Sequence, residues 1–374
     1  MYRVAPKRAD LLKMSLVTSA AMLAICLLAL VETMNTAEAA SLPQNGKIAF
    51  VRFDAGDEIY TVDPDGSNLS GLSNDVKLEW YETHLPAWSP DGTKIAFGRG
   101  QIWVMGADGS NVREILPNRY RQYQGASDHQ TGGATWSPDG KKLAFHRGGE
   151  LPYLVDDIYV TDLDGSNVVN LTETPILSEQ EPDFSPDGSK ICFTLHSDSR
   201  EVARIAGADS IPKSALGIYV MNADGSDPTL LAGKRSGRCD WSPDGTKIAF
   251  ISGDNPGHQD VYVMNADGSK QTNITRSTRK ANLDLTWSPD GTRIAFESNR
   301  DGVLAIYTMK PDGSDVIRLT PNSDLGGDTE PTWQPLPAPT IHPPDTSGPS
   351  LLWVASALFF SGGSLLYAVV RRIT

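Results

Sequence analysis

Two short motifs recur six times along the chain, in alternation and in phase. Trp-Ser-Pro-Asp-Gly begins at Trp88, Trp136, Trp241 and Trp287. Phe184 takes the aromatic position once, and Trp333-Gln334-Pro335 is a degenerate last copy. Successive aromatics are 48, 48, 57, 46 and 46 residues apart. Between them Asp-Gly-Ser recurs around Gly66, Gly109, Gly165, Gly225, Gly268 and Gly313. Periods of 40 to 50 residues denote supersecondary units that bury their apolar faces only against their neighbours.

One unit can be read residue by residue. Thr286-Trp287-Ser288 is a short strand, and Ser288-Pro289-Asp290-Gly291 a tight turn. Proline presets φ in that turn, and glycine takes the conformation that ends it. Arg293-Ile294-Ala295-Phe296 is the second strand, with Ile and Phe on one face and Ala on the other. Ile306–Met309 and Val316–Leu319 are the third and fourth, joined by the Asp-Gly-Ser turn. Six such units predict an all-β fold, a six-bladed β-propeller of four-stranded antiparallel blades over 45–335. The first unit lacks its first strand, and the last ends at Pro331-Thr332-Trp333. Pairing of these N- and C-terminal strands in one blade therefore closes the ring and removes two sheet edges.

Ser242–Phe250 (Ser-Pro-Asp-Gly-Thr-Lys-Ile-Ala-Phe) followed by Val261–Ser269 (Val-Tyr-Val-Met-Asn-Ala-Asp-Gly-Ser) resembles the repeat of TolB-like propellers. The resemblance covers the whole core of about 290 residues and implies the fold; for function it implies a role in envelope assembly or translocation. TolB itself carries a small α/β domain before its propeller, and only a few residues lie between Ala40 and Asn45.

The ends point outside the cytoplasm. Arg3, Lys7, Arg8 and Lys13 precede an apolar run over 14–30 and an Ala37-Glu38-Ala39 site. This reads as a signal peptide over 1–39; an uncleaved signal anchor would export the body equally. Residues 336–350 form a Pro-rich stalk, 351–370 an uncharged span long enough to cross a bilayer as a helix, and 371–374 a basic cytoplasmic tail. Within the stalk, Pro343, Pro344, Asp345, Thr346, Ser347 and Gly348 precede the span. They resemble the sorting signal that sortases cleave in Gram-positive surface proteins. The expected location is extracytoplasmic, anchored to the cell membrane or wall, with the C-terminal helix contacting the membrane. The net charge of −13 argues against nucleic acid. After removal of the leader, Cys192 and Cys239 remain, and their spacing leaves a disulfide open.

Strands in a blade alternate in direction, so both recurrent turns fall on one face of the ring. The loops from second to third strand and from blade to blade fall on the other, and these vary: 98–101, 146–156, 197–215 and 252–259. Recognition of a protein or peptide partner is expected on that variable face. Beside the axis, each blade offers the residue three before its aromatic: Leu85, Gly133, Glu181, Arg238, Asp284 and Glu330. With His84 and Asp183 nearby, this channel mouth is the candidate ligand or partner site.

No cofactor is implied, although a divalent cation among these carboxylates is an alternative. It would make the chain a metal-dependent propeller enzyme. The Asp-Gly-Ser segments lack the acidic twelfth position of a calcium loop. Neither G-x-S-x-G nor H-E-x-x-H occurs. The expected function is therefore non-catalytic binding at the cell surface.

Overall fold

The computed structural model describes residues 43–337 apart from 54–57, 73–83, 117–130, 149–154, 175–176, 197–215, 234, 256, 277–279 and 322–325. The leader, the stalk beyond residue 337, the sorting-like motif and the apolar span of the sequence reading lie outside the described residues. So do the variable loop 197–215 and residues 149–154 of the loop 146–156. Leu336, read as stalk, ends a strand of the propeller instead. Among the described residues no helix is long and apolar enough to cross a membrane.

The described residues form six four-stranded antiparallel sheets. Blade 1 contains β1 (Gln44–Arg52), β2 (Glu58–Val62) and β3 (Ser70–Gly71), with β24 (Asp328–Leu336) as its innermost strand. Blade 2 runs from β4 (His84–Trp88) through β5 (Lys94–Gly98) and β6 (Ile102–Gly106) to β7 (Arg113–Glu114). Blade 3 runs from β8 (Gly132–Trp136) through β9 (Lys142–Gly148) and β10 (Asp156–Asp162) to β11 (Val169–Asn170). Blade 4 runs from β12 (Ser178–Phe184) through β13 (Lys190–His196) and β14 (Gly217–Asn222) to β15 (Thr229–Ala232). Blade 5 runs from β16 (Ser236–Trp241) through β17 (Lys247–Asn255) and β18 (His258–Asn265) to β19 (Thr272–Asn273). Blade 6 runs from β20 (Asn282–Trp287) through β21 (Ile294–Ser298) and β22 (Ala305–Met309) to β23 (Ile317–Arg318).

The ring closes as its incomplete end units require. β24 pairs with β1, Trp333 opposite Ile48 and Asp328 opposite Arg52. The Trp333 indole donates to Gly46 O at 3.1 Å. The Arg52 guanidinium grips Asp328 through two bonds of 2.6 and 2.9 Å. The outermost strands are shorter than the sequence predicts, two residues in five of the six blades. They are sheet edges, paired on one side only, and short edges limit unwanted strand addition.

The core is six separate layers, each between two blades. Ile294 and Phe296 of β21 pack on blade 5 with Val261 and Val263. Ala295, between them in sequence, packs on blade 1 with Ile48 and Phe50. The same division holds in every blade, with Phe50, Phe97, Phe145, Phe193, Phe250 and Phe296 all buried. Each buried side chain of this kind contributes about 1.5–3 kcal/mol, so inter-blade packing, not the sheets alone, holds the ring. In blade 4 the small residue is Cys192. It faces blade 5 and is disulfide-bonded to Cys239 of β16, Cα–Cα 6.4 Å. Chain entropy for its 47-residue separation predicts about 4 kcal/mol of stabilisation.

The recurrent turns satisfy themselves. In the first, the Lys94 N–H donates to Ser89 Oγ at 2.9 Å, and Ser89 Oγ donates to Asp91 Oδ1 at 2.6 Å. The Thr93 N–H donates to the same carboxylate oxygen at 3.0 Å. Gly92 closes the turn at φ +66°. In the copy at Asp187, hydrogen bonds from Ser185 and then Ser189 hold the carboxyl down at about 2. The Asp63–Asn68 turn is likewise filled: its carboxylates accept from Lys47, Ser67 and Asn68.

Candidate functional site

The innermost strand of every blade breaks its pairing register just before the aromatic, as between Gln180 and Asp183 or between Gly237 and Asp240. These are β-bulges, which re-aim a side chain. At the bulge, Leu85, Gly133, Glu181, Arg238 and Glu330 all adopt left-handed backbone, with φ between +50° and +59°. Non-glycine residues pay for that conformation, so something must hold it.

The holder is the blade before. His146, which follows the strand-two Phe of blade 3, accepts the Glu181 N–H on Nδ1 at 3.3 Å. Thr194, at the same place in blade 4, accepts the Arg238 N–H at 3.0 Å. Glu297 in blade 6 accepts the Glu330 N–H at 3.4 Å. The equivalent residue of blade 5 is Ile251, which cannot accept. Asp284, the axial residue of blade 6, is the one of the six outside the left-handed region. Val51 and Gly98 also lack an acceptor side chain, but there Leu85 donates to Glu330 of blade 1 and position 133 is glycine.

Four of the sequence-predicted residues converge. Arg238 Nε lies 2.8 Å from Glu181 Oε1, and its Nη1 lies 3.1 Å from Asp284 Oδ2. Glu330 Oε2 accepts the Leu85 N–H at 2.6 Å. His84 stands outside this group, its Nδ1 3.6 Å from Glu330 Oε1. Glu181, Arg238, Asp284 and Glu330, with Leu85 and Gly133, line a cavity of about 280 Å3. It extends from the bulges toward the Ser-Pro-Asp-Gly end of the inner strands, past Thr135, Asp183, Asp240 and Thr286.

Burial dominates the electrostatics. It pushes Asp284 up to about 7, with Arg238 pulling the other way. Burial, then the charges of Asp284 and Glu330, pushes Glu297 up to about 8. Along the cavity lie the Asp183 and Asp240 carboxyls, and the charge of Asp183 adds to burial in raising Asp240. Asp183 accepts from Thr135 Oγ1 at 3.1 Å and the Trp241 N–H at 3.0 Å, and Asp240 from the Trp287 N–H. Burial raises both.

His146, Asp240 and Glu297 were not singled out in the sequence. The repeat register holds the missing signal: two of them follow the strand-two Phe, and Asp240 precedes an aromatic, as Asp183 does. For the cation alternative, Arg238 stands between Glu181 and Asp284, where a metal would sit. Among the described residues no group of three or more His, Cys, Asp or Glu is arranged to hold a metal ion.

Residues 218–338 match the TolB beta propeller domain family. That part of the ring carries TolB-like propeller repeats. Among solved structures, TolB from Acinetobacter baumannii superposes with a TM-score of 0.62 at 21% identity, over 79% of this chain and 69% of that one. A chain of a nidogen/laminin complex gives 0.56 at 11% identity, over 77% and 98%. Hydrazine synthase from Kuenenia stuttgartiensis gives 0.58 at 17%, over 79% and 47%. No curated protein matches the sequence. At these identities the ring shares its fold with these structures, and function has to be argued from the axial site.

Proposed function

We propose that the chain is a non-catalytic binding propeller that works outside the cytoplasm, anchored at the cell surface, and that a protein or peptide partner is selected at its axial ring. One observation carries this reading. The propeller scaffold needs only apolar contacts between blades, yet blades 1, 4, 5 and 6 place Glu330, Glu181, Arg238 and Asp284 on bulges around one cavity. Holding Glu181, Arg238 and Glu330 in left-handed backbone beside a cavity has a cost that folding alone does not require. The Cys192–Cys239 disulfide suits an oxidising compartment, and the TolB family match favours an envelope-assembly role for the binding. Against a metal-dependent enzyme stands the Arg238 guanidinium inside the acidic ring.

A second reading keeps the partner on the variable-loop face, because there the blades differ most in sequence and loop length. Photo-crosslinking residues in place of Leu85 on the axis, Val303 in the β21–β22 loop and Leu230 on β15 distinguish the two in cells producing the full chain. The axial reading expects one protein or peptide captured from Leu85, and nothing from Leu230. Capture from Val303 alone supports the second reading, and capture from neither Leu85 nor Val303 refutes both.

A further inference from the structure

We propose that the group received at the axial ring is basic, the ammonium of a lysine or the guanidinium of an arginine on the partner's chain. This rests on the axial reading above and gives it a chemistry. Glu181, Asp284 and Glu330 line the cavity, with Glu297 directly behind, hydrogen-bonded to the Glu330 backbone. Arg238 is engaged by both Glu181 and Asp284. It balances at most part of that negative charge, and His84 approaches only Glu330. Asp284 is 8% exposed, and its Oδ2 takes no hydrogen bond despite the nearby Arg238. The Arg238 Nη1 lies 3.1 Å from that oxygen without hydrogen-bond alignment. A buried carboxylate oxygen lacking an aligned donor is costly, and an incoming N–H donor would satisfy it.

The size of the cavity points the same way. At about 280 Å3 it falls just below the ~300–1,000 Å3 of small-molecule pockets, so it suits one long side chain. An anion is disfavoured because the ring's guanidinium already has two carboxylate partners.

The site has a proton balance of its own. Asp284 faces Arg238, Glu330 and Glu181, while Glu297 faces Asp284, Glu330 and Arg238. Both carboxyls hold their protons near neutral pH because burial disfavours the charged form. An arriving cation supplies the positive charge instead, the carboxyl ionises beside it, and one proton leaves for solvent. Binding should therefore strengthen with rising pH.

The test is calorimetric titration of the full chain with acetyl-Gly-Gly-Lys-Gly-Gly-amide, its arginine counterpart and its norleucine counterpart. The lysine or arginine peptide is expected to bind at least tenfold more tightly than the norleucine peptide. Its affinity should fall about tenfold from pH 8 to pH 6, with proton release detected through buffer ionisation heats. Glu330→Gln should weaken it about tenfold. Glu173→Gln, an exposed change of equal charge far from the ring in the sequence repeat, should leave it unaltered. Equal binding of all three peptides overturns the basic group and leaves the axial reading standing. No binding of any peptide, while Leu85 still captures its partner, likewise overturns only the basic group. Loss of the Leu85 capture as well removes the reading on which it rests.

Discussion

Gly133 and His146 offer the sharpest check on how the axial ring is held. Gly133 sits at φ +59°, and a Cβ there would lie 2.6 Å from His146 Nδ1 and 2.9 Å from its Cε1. Alanine at 133 therefore meets two penalties. Left-handed backbone costs about 1–2 kcal/mol for a residue with a Cβ, and forcing the half-buried ring aside costs about 1–3 kcal/mol. Gly133→Ala should thus destabilise by about 3 kcal/mol in all. His146→Ala removes the acceptor of the Glu181 N–H, at about 1–3 kcal/mol for an unpaired buried donor. In the double variant the clash disappears, while the backbone term and the lost hydrogen bond remain. It should be less destabilised than the sum of the singles by about 1–2 kcal/mol, a coupling typical of residues in contact. Urea unfolding of the four proteins at equilibrium measures this. Additivity within about 0.5 kcal/mol would refute the idea that His146 packs on Gly133 and holds the bulge of blade 4.

Two further outcomes follow from the same structure. Burial raises Asp183 to about 6, Asp284 to about 7, and Glu179 and Glu297 to about 8. The folded state then holds protons that the unfolded chain gives up near pH 4. Their stabilisation is complete below that pH and is lost as pH rises through 6 to 8. The melting temperature should fall from pH 5 to pH 8.5 at constant ionic strength, less steeply in Glu179→Gln, and a rise over that range would contradict the assignment. At the closure seam, Arg52→Met leaves Asp328, whose side chain is 1% exposed, charged and unpaired, and should cost about 3–5 kcal/mol. Adding Asp328→Leu should recover most of that loss in guanidinium titrations. A single-variant loss below about 1 kcal/mol would mean that the clasp does not hold β24 to β1.

The sequence by itself determined the ring. Its repeat carries, six times over, what each blade needs locally: a turn of Ser, Pro, Asp and Gly, large residues for one face and a small one for the other. Because the need is local and repeated, it is legible as a period, and so are the blade count, the closure through Trp333 and the axial position of Glu181, Arg238, Asp284 and Glu330. The tertiary structure alone decided how neighbouring blades meet. Cys192 occupies the small-residue slot that faces the next blade, so it reaches Cys239 only once blades 4 and 5 are side by side. The bulges turn the axial residues inward, and their backbone N–H groups find His146, Thr194 and Glu297 one blade away, which no spacing within a repeat records. The protonation of Asp284, Glu297 and the Asp183–Asp240 pair depends on burial and on charges brought together from different blades. Those are properties of an assembled ring, and a linear sequence carries them only as separate residues.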